Sequence, residues 1–359
     1  MSWTDAERVL AVRLDALGDV LMTTPALRAL KVVRPRRHLT LLTSGAGAAV
    51  AALVPEIDDV LVYDAPWMKA TAPRREVAPD LAMIERLRAG RFDGAVVFTV
   101  YSQSPLPAAL LCYLAGVPRR LAHCHENPYQ LLTDWVLDPE PARFVRHEVR
   151  RQLDLVASVG AACADERLSL RVPDEARRRI RDLLRTYELH HRPWLLLHPG
   201  ASAPSRRYPP ELFASAARGF AETTGAAVVI IGLEGEPAIA AVLAAIDGVE
   251  THALTGLPLA DVAALVEAAP VLISNNSGPV HVAAAVGTPV VDLYALTNPQ
   301  HTPWAVPHRV LFHDVPCKYC YKSVCPEGHN DCLRRVSPHQ VVEAALSLLP
   351  SGRSGGPGS

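Results

Sequence analysis

Short runs of apolar, often β-branched residues alternate along the chain with longer segments rich in alanine, leucine and arginine. This alternation predicts β-strands followed by α-helices, and parallel sheets that are covered on both faces. In the first half the predicted strands are Val9–Leu14, Leu39–Thr43, Val60–Tyr63, Gly94–Val100 and Arg120–His123. The helical segments between them are Thr24–Val33, Leu81–Ala89 and Pro107–Ala115.

The same rhythm begins again in the second half. The predicted strands there are Trp194–His198, Ala227–Ile231, Thr251–Leu254, Val271–Ser274 and Pro289–Leu293. The predicted helices are Pro210–Glu222, Pro237–Ala245, Leu259–Ala268 and Pro279–Val286. Between the two series lies a basic helical segment, Asp174–Tyr187, and Pro193 then precedes a new strand.

The pattern therefore predicts an α/β protein with two Rossmann-like domains, residues 1–190 and 191–350. Their parallel sheets are expected to face a cleft, because ligands of open α/β sheets bind beyond the carboxyl ends of the strands. Residues 351–359 are rich in glycine and serine, and we predict a disordered tail there.

Composition and charge narrow the class of protein. The chain has 359 residues, 49% of them hydrophobic, and a formal net charge of -1, which argues against a nucleic-acid partner. Two acidic residues precede the first apolar run, which does not suit a secretory signal. We therefore expect a cytoplasmic protein that works at the inner face of the cell membrane. Arginines near 34–37 and 143–151 are candidates for contact with an anionic lipid acceptor.

A tight turn joins the first predicted strand to a helix, in the sequence VRLDALGDVLMTTPAL that begins at Val12. Gly18 would let a ligand approach the backbone, where the new helix offers unpaired N–H groups. Asp19 follows at the rim, where its carboxylate either accepts a proton from a hydroxyl or caps the helix. No G-x-G-x-x-G motif follows this strand, which argues against a dinucleotide site.

Two further segments place polar groups after strands of the second half. The first is HPGAS at 198–202 with RRYP at 206–209, and the second is NNSGPVHVAAAVGTP at 275–289. In the second segment, helix N–H groups, the Ser277 hydroxyl and the Gly278 backbone form a candidate anion site. His281 lies one turn into that helix, either as a phosphate contact or as a buried histidine.

These three segments, in this order, resemble those of the family 9 glycosyltransferases, the ADP-heptose:lipopolysaccharide heptosyltransferases. The resemblance implies a GT-B fold with an N-terminal acceptor domain and a C-terminal nucleotide-sugar domain. It also implies an inverting transfer of a heptose or related sugar from an ADP-sugar to an acceptor hydroxyl, in lipopolysaccharide or another cell-surface glycan. No cofactor or metal takes part in that transfer. Asp19 matches the family's candidate general base.

Further site residues follow from the resemblance. Arg206 fills the position of the family's lysine before an aromatic–proline pair, so its guanidinium would grip the diphosphate, with Arg207 as the alternative. Glu234 matches the acid that binds ribose hydroxyls, although Glu236 or a helix-start role stays open. Asn276 stands where many members have aspartate, which bears on heptose specificity more than on sugar transfer.

Four of the seven cysteines are clustered, at Cys317, Cys320, Cys325 and Cys332. In a reducing compartment such clustering favours a metal site over disulfides. Four thiolates on one short loop can close a tetrahedral zinc site. We therefore predict structural zinc there, with iron–sulfur ligation or free thiols as alternatives.

The expected partners are a nucleotide-diphosphate sugar, with ADP-heptose first, and a glycan or lipid-linked acceptor. Two other functions fit the same architecture. One is a nucleotide-sugar epimerase or hydrolase, which would consume the donor without an acceptor. The other is a non-catalytic sugar-nucleotide-binding protein, an alternative that Asn276 supports.

Overall fold

The computed structural model describes residues 2–349, so the predicted tail at 351–359 lies outside the described residues. Within this range the chain forms two compact α/β units. The first comprises residues 2–172 with Pro299–Ala305, and the second comprises Pro173–Asn298 with residues 306–349. Each unit is built on a six-stranded parallel sheet, which confirms the predicted α/β class.

The first unit alternates strands and helices as the hydrophobic pattern predicts. Its strands are β1 (Arg8–Arg13), β2 (His38–Thr43), β3 (Asp59–Val62), β4 (Gly94–Val97), β5 (Arg120–Cys124) and β6 (Asp134–Leu137). Its helices are α1 (Leu17–Val33), α2 (Gly45–Ala51), α3 (Ala78–Ala89), α4 (Leu106–Leu114) and α5 (Glu148–Ala157). The inner strands are almost fully buried, and the exposed alternate residues of β6 mark it as an edge.

The second unit repeats the arrangement. Its strands are β7 (Trp194–His198), β8 (Ala227–Gly232), β9 (Thr251–Thr255), β10 (Leu272–Asn275), β11 (Val290–Leu293) and β12 (His308–Leu311). Its helices are α6 (Asp174–Thr186), α7 (Pro210–Thr224), α8 (Pro237–Ala245), α9 (Leu259–Ala268), α10 (Gly278–Val286), α11 (Asp331–Arg334) and α12 (Pro338–Leu346). A short 3-10 turn, Pro204–Arg206, follows β7.

The two sheets have the same strand order. The first reads β3-β2-β1-β4-β5-β6, and the second, from its β9 edge, reads β9-β8-β7-β10-β11-β12. Numbered within its own unit, each is 3-2-1-4-5-6, the order of doubly wound nucleotide-binding sheets. Ligands of such sheets bind beyond the strand ends where the order reverses. That position is the end of β1 and β4 in the first unit, and of β7 and β10 in the second.

Helix α1 begins seven residues before the predicted start at Thr24 because it tolerates a proline in its interior. Pro25 lies inside the helix and has no N–H for the carbonyl of Leu21. The Thr24 hydroxyl donates to that carbonyl instead, at 2.7 Å. Helix α1 therefore starts directly after β1, which places Gly18 and Asp19 in its first turn.

The boundary between the units lies after Val172, and not after residue 190 as predicted. The reason is that α6 packs on α9, within the second unit. Arg177 Nε donates to Glu267 at 2.7 Å, and Arg179 Nη2 donates to Asp261 at 2.6 Å. Arg177 and Arg179 of this helix are thus ion-paired within the second unit.

A later segment completes the first unit. The N–H of Glu148, the first residue of α5, donates to the Gln300 carbonyl at 3.1 Å. His147 Nε2 lies 2.8 Å from the Thr302 carbonyl, and the His147 ring stacks on Trp304 at 4.5 Å between centroids. Residues 299–305 therefore belong structurally to the unit that the chain left after Val172.

Candidate active site

The end of β1 carries a buried cation surrounded by carboxylates. Arg13 is fully buried, and its guanidinium lies 3.0 Å from Asp15, 3.0 Å from Asp19 and 2.7 Å from Glu148. Burial would by itself lower the pKa of Arg13, but the three acids raise it above its ordinary value. Arg13 therefore stays charged and fixes the two aspartates at the strand end.

Asp19 makes the helix-start contact that the sequence analysis allowed, and its role as a base stays a prediction. Its Oδ1 accepts from Arg13, and its Oδ2 accepts from the Ala16 N–H at 3.2 Å, the backward contact of a helix start. The side chain is 19% exposed, so the carboxylate is oriented by the fold yet reaches solvent. Gly18 is buried in the same turn.

A cavity of about 440 Å³ lies beside this turn, within the first unit. Asp15 lines it, and Gln103 Nε2, which follows β4, donates to Asp15 Oδ1 at 2.7 Å. Burial raises the pKa of the Asp15 carboxyl. Trp67 supplies an aromatic wall and Lys69 an exposed cation. The sequence analysis missed Asp15 and Gln103, although Asp15 stands only four positions before Asp19.

The corresponding edge of the second unit is held by neutral groups. His198 ends β7, and its Nδ1 lies 3.2 Å from Ser274 Oγ and 3.3 Å from Ser277 Oγ. Burial lowers the pKa of His198 to about 4, so the ring is neutral at physiological pH. Asn275 donates to the Pro199 carbonyl at 2.7 Å and accepts from the Tyr208 N–H at 2.9 Å. Asn275, also missed from sequence, therefore fixes both ends of the loop after β7.

The start of α10, where the sequence predicts an anion site, has no side-chain cap, and its Val280 N–H is bonded to the Ser277 carbonyl at 3.1 Å. Ser277 precedes the helix, but its hydroxyl contacts His198 and the Asn275 carbonyl and does not cap the helix. The N–H groups beginning at Gly278 are thus not covered by that side chain. His281 is buried in the same helix, 5% exposed.

Asn276 pairs with a second buried residue, Asp292 of β11. Its Nδ2 donates to Asp292 Oδ2 at 2.9 Å, and burial raises the pKa of Asp292 well above its ordinary value. No cation of residues 2–349 makes an ion pair with Asp292. The carboxyl that many family members carry at position 276 is thus replaced here by an amide above a buried acid.

Arg206 and Arg207 point to different partners. Arg207 Nε donates to the Ala201 carbonyl at 2.8 Å and so helps to hold the loop after β7. Arg206 is half-buried, and its guanidinium makes no hydrogen bond or ion pair within the described residues 2–349. Arg206 therefore has its donors available for an anion.

The two glutamates after β8 differ in their surroundings. Glu236 lies against the loop after β7, so close that a Cβ at Gly200 would come within 2.3 Å of its Oε1. Glu234 is exposed and lies against Gly256, with a Cβ there 3.6 Å from its Oε2. Only glycine at position 200 permits this approach of Glu236 to the backbone. Glu234 stays the candidate for ribose hydroxyls, and Glu236 has a structural contact.

The four clustered cysteines line one small cavity of about 20 Å³ in the second unit, together with His329. Cys317 Sγ lies 3.9 Å from His329 Nε2. Burial raises the pKa of Cys332, and the other three thiols are near enough to act in the same direction. Within residues 2–349, however, no three His, Cys, Asp or Glu side chains form a ready-made metal site.

The two arginine-rich segments are less available than their sequence suggested. Arg37 is buried and donates to carbonyls of Ala6 and Leu30, at 2.9 and 2.8 Å. Arg151 is buried and bound to Asp138 and Glu140. The candidates for lipid contact reduce to exposed members such as 36 and 143. Over the described part of the chain, no helix combines the length and apolar character needed to cross a bilayer.

Comparisons with known proteins agree with this geometry. Lipopolysaccharide heptosyltransferase 2 of Escherichia coli is 25% identical over 95% of this chain and 98% of its own length. A family 9 glycosyltransferase of Veillonella parvula superimposes with a TM-score of 0.79 at 24% identity, covering 97% of this chain and 98% of that one. The structure of E. coli ADP-heptose LPS heptosyltransferase II gives 0.73 at 23% identity, covering 95% and 98%. These likenesses confirm the GT-B fold.

The family match covers both units. The model of glycosyltransferase family 9 (heptosyltransferase) matches residues 81–330, which include the ends of β4, β7 and β10. The chain therefore belongs to glycosyltransferase family 9 (heptosyltransferase), a family of sugar-transferring enzymes.

Proposed function

We propose that this enzyme transfers a heptose from ADP-heptose to a hydroxyl of a lipopolysaccharide precursor, with inversion at the anomeric carbon. The observation that carries the proposal is that the first unit has an oriented, solvent-reaching carboxylate, Asp19, after β1, while the second has a guanidinium without a partner in residues 2–349, Arg206, after β7. The carboxylate suits a general base and the guanidinium suits a diphosphate. The likeness to lipopolysaccharide heptosyltransferase 2 of Escherichia coli supports the same sugar.

The second unit is proposed to hold the donor. Arg206 and the uncapped start of α10 would stabilise the diphosphate, because both offer N–H donors after strands of this unit. Glu234 would accept hydrogen bonds from the ribose, as acids after this strand do in other nucleotide sites. The Asn276 amide would meet a sugar hydroxyl or a phosphate oxygen.

The first unit is proposed to hold the acceptor. The cavity beside Asp15 offers polar groups along one side, an aromatic face at Trp67 and a cation at Lys69. A sugar ring presents apolar faces and hydroxyl edges, and an acidic glycan adds a negative charge. Trp67→Ala should therefore raise the KM for the acceptor and leave ADP affinity unchanged.

The reaction is then a single displacement. The acceptor O–H gives its proton to Asp19 while its oxygen forms a bond to the anomeric carbon of the donor. The bond from that carbon to the diphosphate oxygen breaks, and ADP leaves with the electron pair. Arg206 and the start of α10 stabilise the negative charge that develops on the leaving group. The proposed displacement uses no metal ion.

The test is an assay of purified protein with ADP-, GDP-, dTDP- and UDP-linked sugars, each with and without a lipopolysaccharide-precursor acceptor. Transfer from ADP-heptose only in the presence of acceptor supports the proposal. Consumption of the donor at an undiminished rate without acceptor would indicate an epimerase or hydrolase. Binding of ADP without turnover of any donor would indicate a non-catalytic binding protein.

We also infer that the enzyme works in the cytoplasm at the inner face of the cell membrane, since its proposed acceptor is a glycolipid. Exposed Arg36 and Arg143 could meet anionic headgroups there. Cosedimentation with vesicles of anionic and of zwitterionic lipid tests this contact. Equal recovery of protein in both pellets would contradict an electrostatic contact.

A further inference from the structure

The turn that carries Arg206 is tied to the cysteine loop, defined here as residues 315–332. The Ser205 N–H donates to the Ser323 carbonyl at 3.0 Å, and the Ser205 hydroxyl donates to the Lys322 carbonyl at 2.7 Å. Ser205 is buried, 3% exposed. Both acceptor carbonyls lie between Cys320 and Cys325. The position of the Arg206 turn therefore depends on where this part of the cysteine loop lies.

The cysteine loop is largely irregular. It contains no strand, and among its described residues only the short α11 begins near its end. Tyr319 and Tyr321 have φ angles of 62° and 55°, a left-handed conformation that costs free energy in residues other than glycine. Its backbone bonds to the rest of the unit include those from Tyr319 N to Leu296 O at 2.6 Å, from Tyr321 N to Thr297 O at 2.9 Å and from His313 N to Cys332 O at 2.8 Å. A cross-link among its cysteines would add a further restraint to this irregular segment.

The thiols offer that cross-link. Cys317, Cys320, Cys325 and Cys332 surround a cavity of about 20 Å³. A cavity of this size has room for one water-sized guest. Thiolates are the ligands that zinc and other thiophilic metal ions prefer, and each thiol that binds releases its proton to solvent. Because the thiols surround the cavity without forming a ready-made site, ligation must draw the loop inward.

We propose that one thiolate-bound zinc ion in the cysteine loop positions the Arg206 turn through Ser205, and so sets the affinity of the second unit for nucleoside diphosphate. The inference rests on the proposed function, which assigns Arg206 to the diphosphate. Metal and nucleotide are then coupled ligands, and each raises the affinity for the other by the same factor.

The first experiment measures metal content and ADP affinity of the full-length protein. We expect close to one zinc per chain, released by a thiol-modifying reagent, and ADP binding about tenfold weaker after zinc is removed and restored when Zn²⁺ is added back. Circular dichroism before and after chelation checks that the fold survives. A preparation without bound metal that also fails to take up added Zn²⁺ would overturn the proposal.

The second experiment separates positioning from metal binding. Ser205→Ala removes the bond to Lys322 but no thiol, so it should keep its zinc, weaken ADP binding and lose the response of ADP affinity to zinc. Cys325→Ser should lose both zinc and tight ADP binding. Cys163→Ser, which changes a free thiol outside the loop, is the matched control and should change neither.

The outcomes distinguish this inference from the proposed function. If ADP binds equally well with and without zinc, the coupling is wrong and the donor site stands. If zinc binds but no form of the protein binds ADP, the donor site assigned to the second unit is wrong as well. If Ser205→Ala keeps the full response to zinc, the connection through Ser205 is wrong.

Discussion

The ends of β1 and β10 lie in two sheets with the same strand order, but the side chains there carry different charges. At the end of β1, one buried arginine is surrounded by three carboxylates, so the acids outnumber the cation. At the end of β10, the groups are a neutral histidine, two asparagines and a serine. The comparison teaches that strand order sets where a site forms, while the residues after each strand set which charge it can accept.

The difference matches the two partners of a sugar transfer. A proton acceptor must be a carboxylate whose orientation is fixed, and Arg13 supplies that fixation to Asp19. A diphosphate brings its own negative charge and would be repelled by nearby ionised acids. Accordingly, the cation proposed for the diphosphate is Arg206 in a loop, and the buried acid Asp292 is bonded to the Asn276 amide.

The largest expected effect comes from neutralising the proposed base. Asp19→Asn keeps an oxygen for the Arg13 bond but removes the proton acceptor, so turnover should fall by about 10²- to 10⁴-fold. Initial rates with saturating donor and acceptor measure this loss. ADP affinity, which belongs to the second unit, should not change. Near-normal turnover by a folded variant would exclude Asp19 from the reaction.

Next in size is the loss of the buried partner of Arg13. Glu148→Gln leaves the guanidinium with one fewer compensating charge, so the free energy of unfolding should fall by about 3 kcal/mol. Urea denaturation measures this free energy of unfolding. The matched control is Glu166→Gln, which disrupts the partly exposed pair with Arg150 and should cost no more than about 1 kcal/mol. Equal losses for both variants would contradict the special position of Arg13.

The two adjacent arginines provide a sharper test of the second unit. Arg206→Ala removes charged hydrogen bonds to the diphosphate and should weaken ADP binding by about tenfold to a hundredfold. Arg207→Ala loses a loop contact to Ala201 and should weaken ADP binding by less, about threefold. Isothermal titration with ADP compares them. A reversed order would make Arg207 the diphosphate ligand.

The smallest effect concerns pH dependence and Asp292. Since burial raises its pKa, the folded protein holds this proton more tightly than the unfolded chain does. Asp292 therefore contributes most to the free energy of unfolding at low pH. This contribution is lost as the pH rises above the pKa of an ordinary aspartate. Asp292→Asn should gain stability relative to the natural protein as pH increases from about 5 to about 8. A difference that stays constant with pH would show that Asp292 does not titrate differently on folding.

The inner parts of both sheets could be predicted from sequence because their strands are uniformly apolar. Trp194–His198, Pro237–Ala245 and Leu259–Ala268 have the predicted limits. The edge strands β6 and β12 were missed, since neither contains a fully buried residue and so neither forms an apolar run. Helix α5 was missed because its apolar face is interrupted by buried polar residues, among them Arg151 and Gln152.

The candidate site was predictable only where a local motif marks a strand end. Asp19 and Ser277 lie in such motifs. The partners that hold them are far away along the chain: Glu148 is 135 residues from Arg13, and Asn275 reaches Tyr208 across 67 residues. Pairing over such separations depends on the tertiary fold, and no local pattern encodes it. Likewise, the sequence does not show which of Arg206 and Arg207 makes a structural contact and which has donors available. It also does not show that His329 lies beside the cysteines.

The return of residues 299–305 to the first unit has a consequence for biosynthesis. Glu148, which compensates Arg13, donates its backbone N–H to the Gln300 carbonyl, and His147 contacts the Thr302 carbonyl. When only the first half of the chain has left the ribosome, every strand of the first unit has been made. The segment that binds the start of α5 has not yet been made. The charge cluster around the proposed base can be locked only late in translation, when most of the second unit has already emerged.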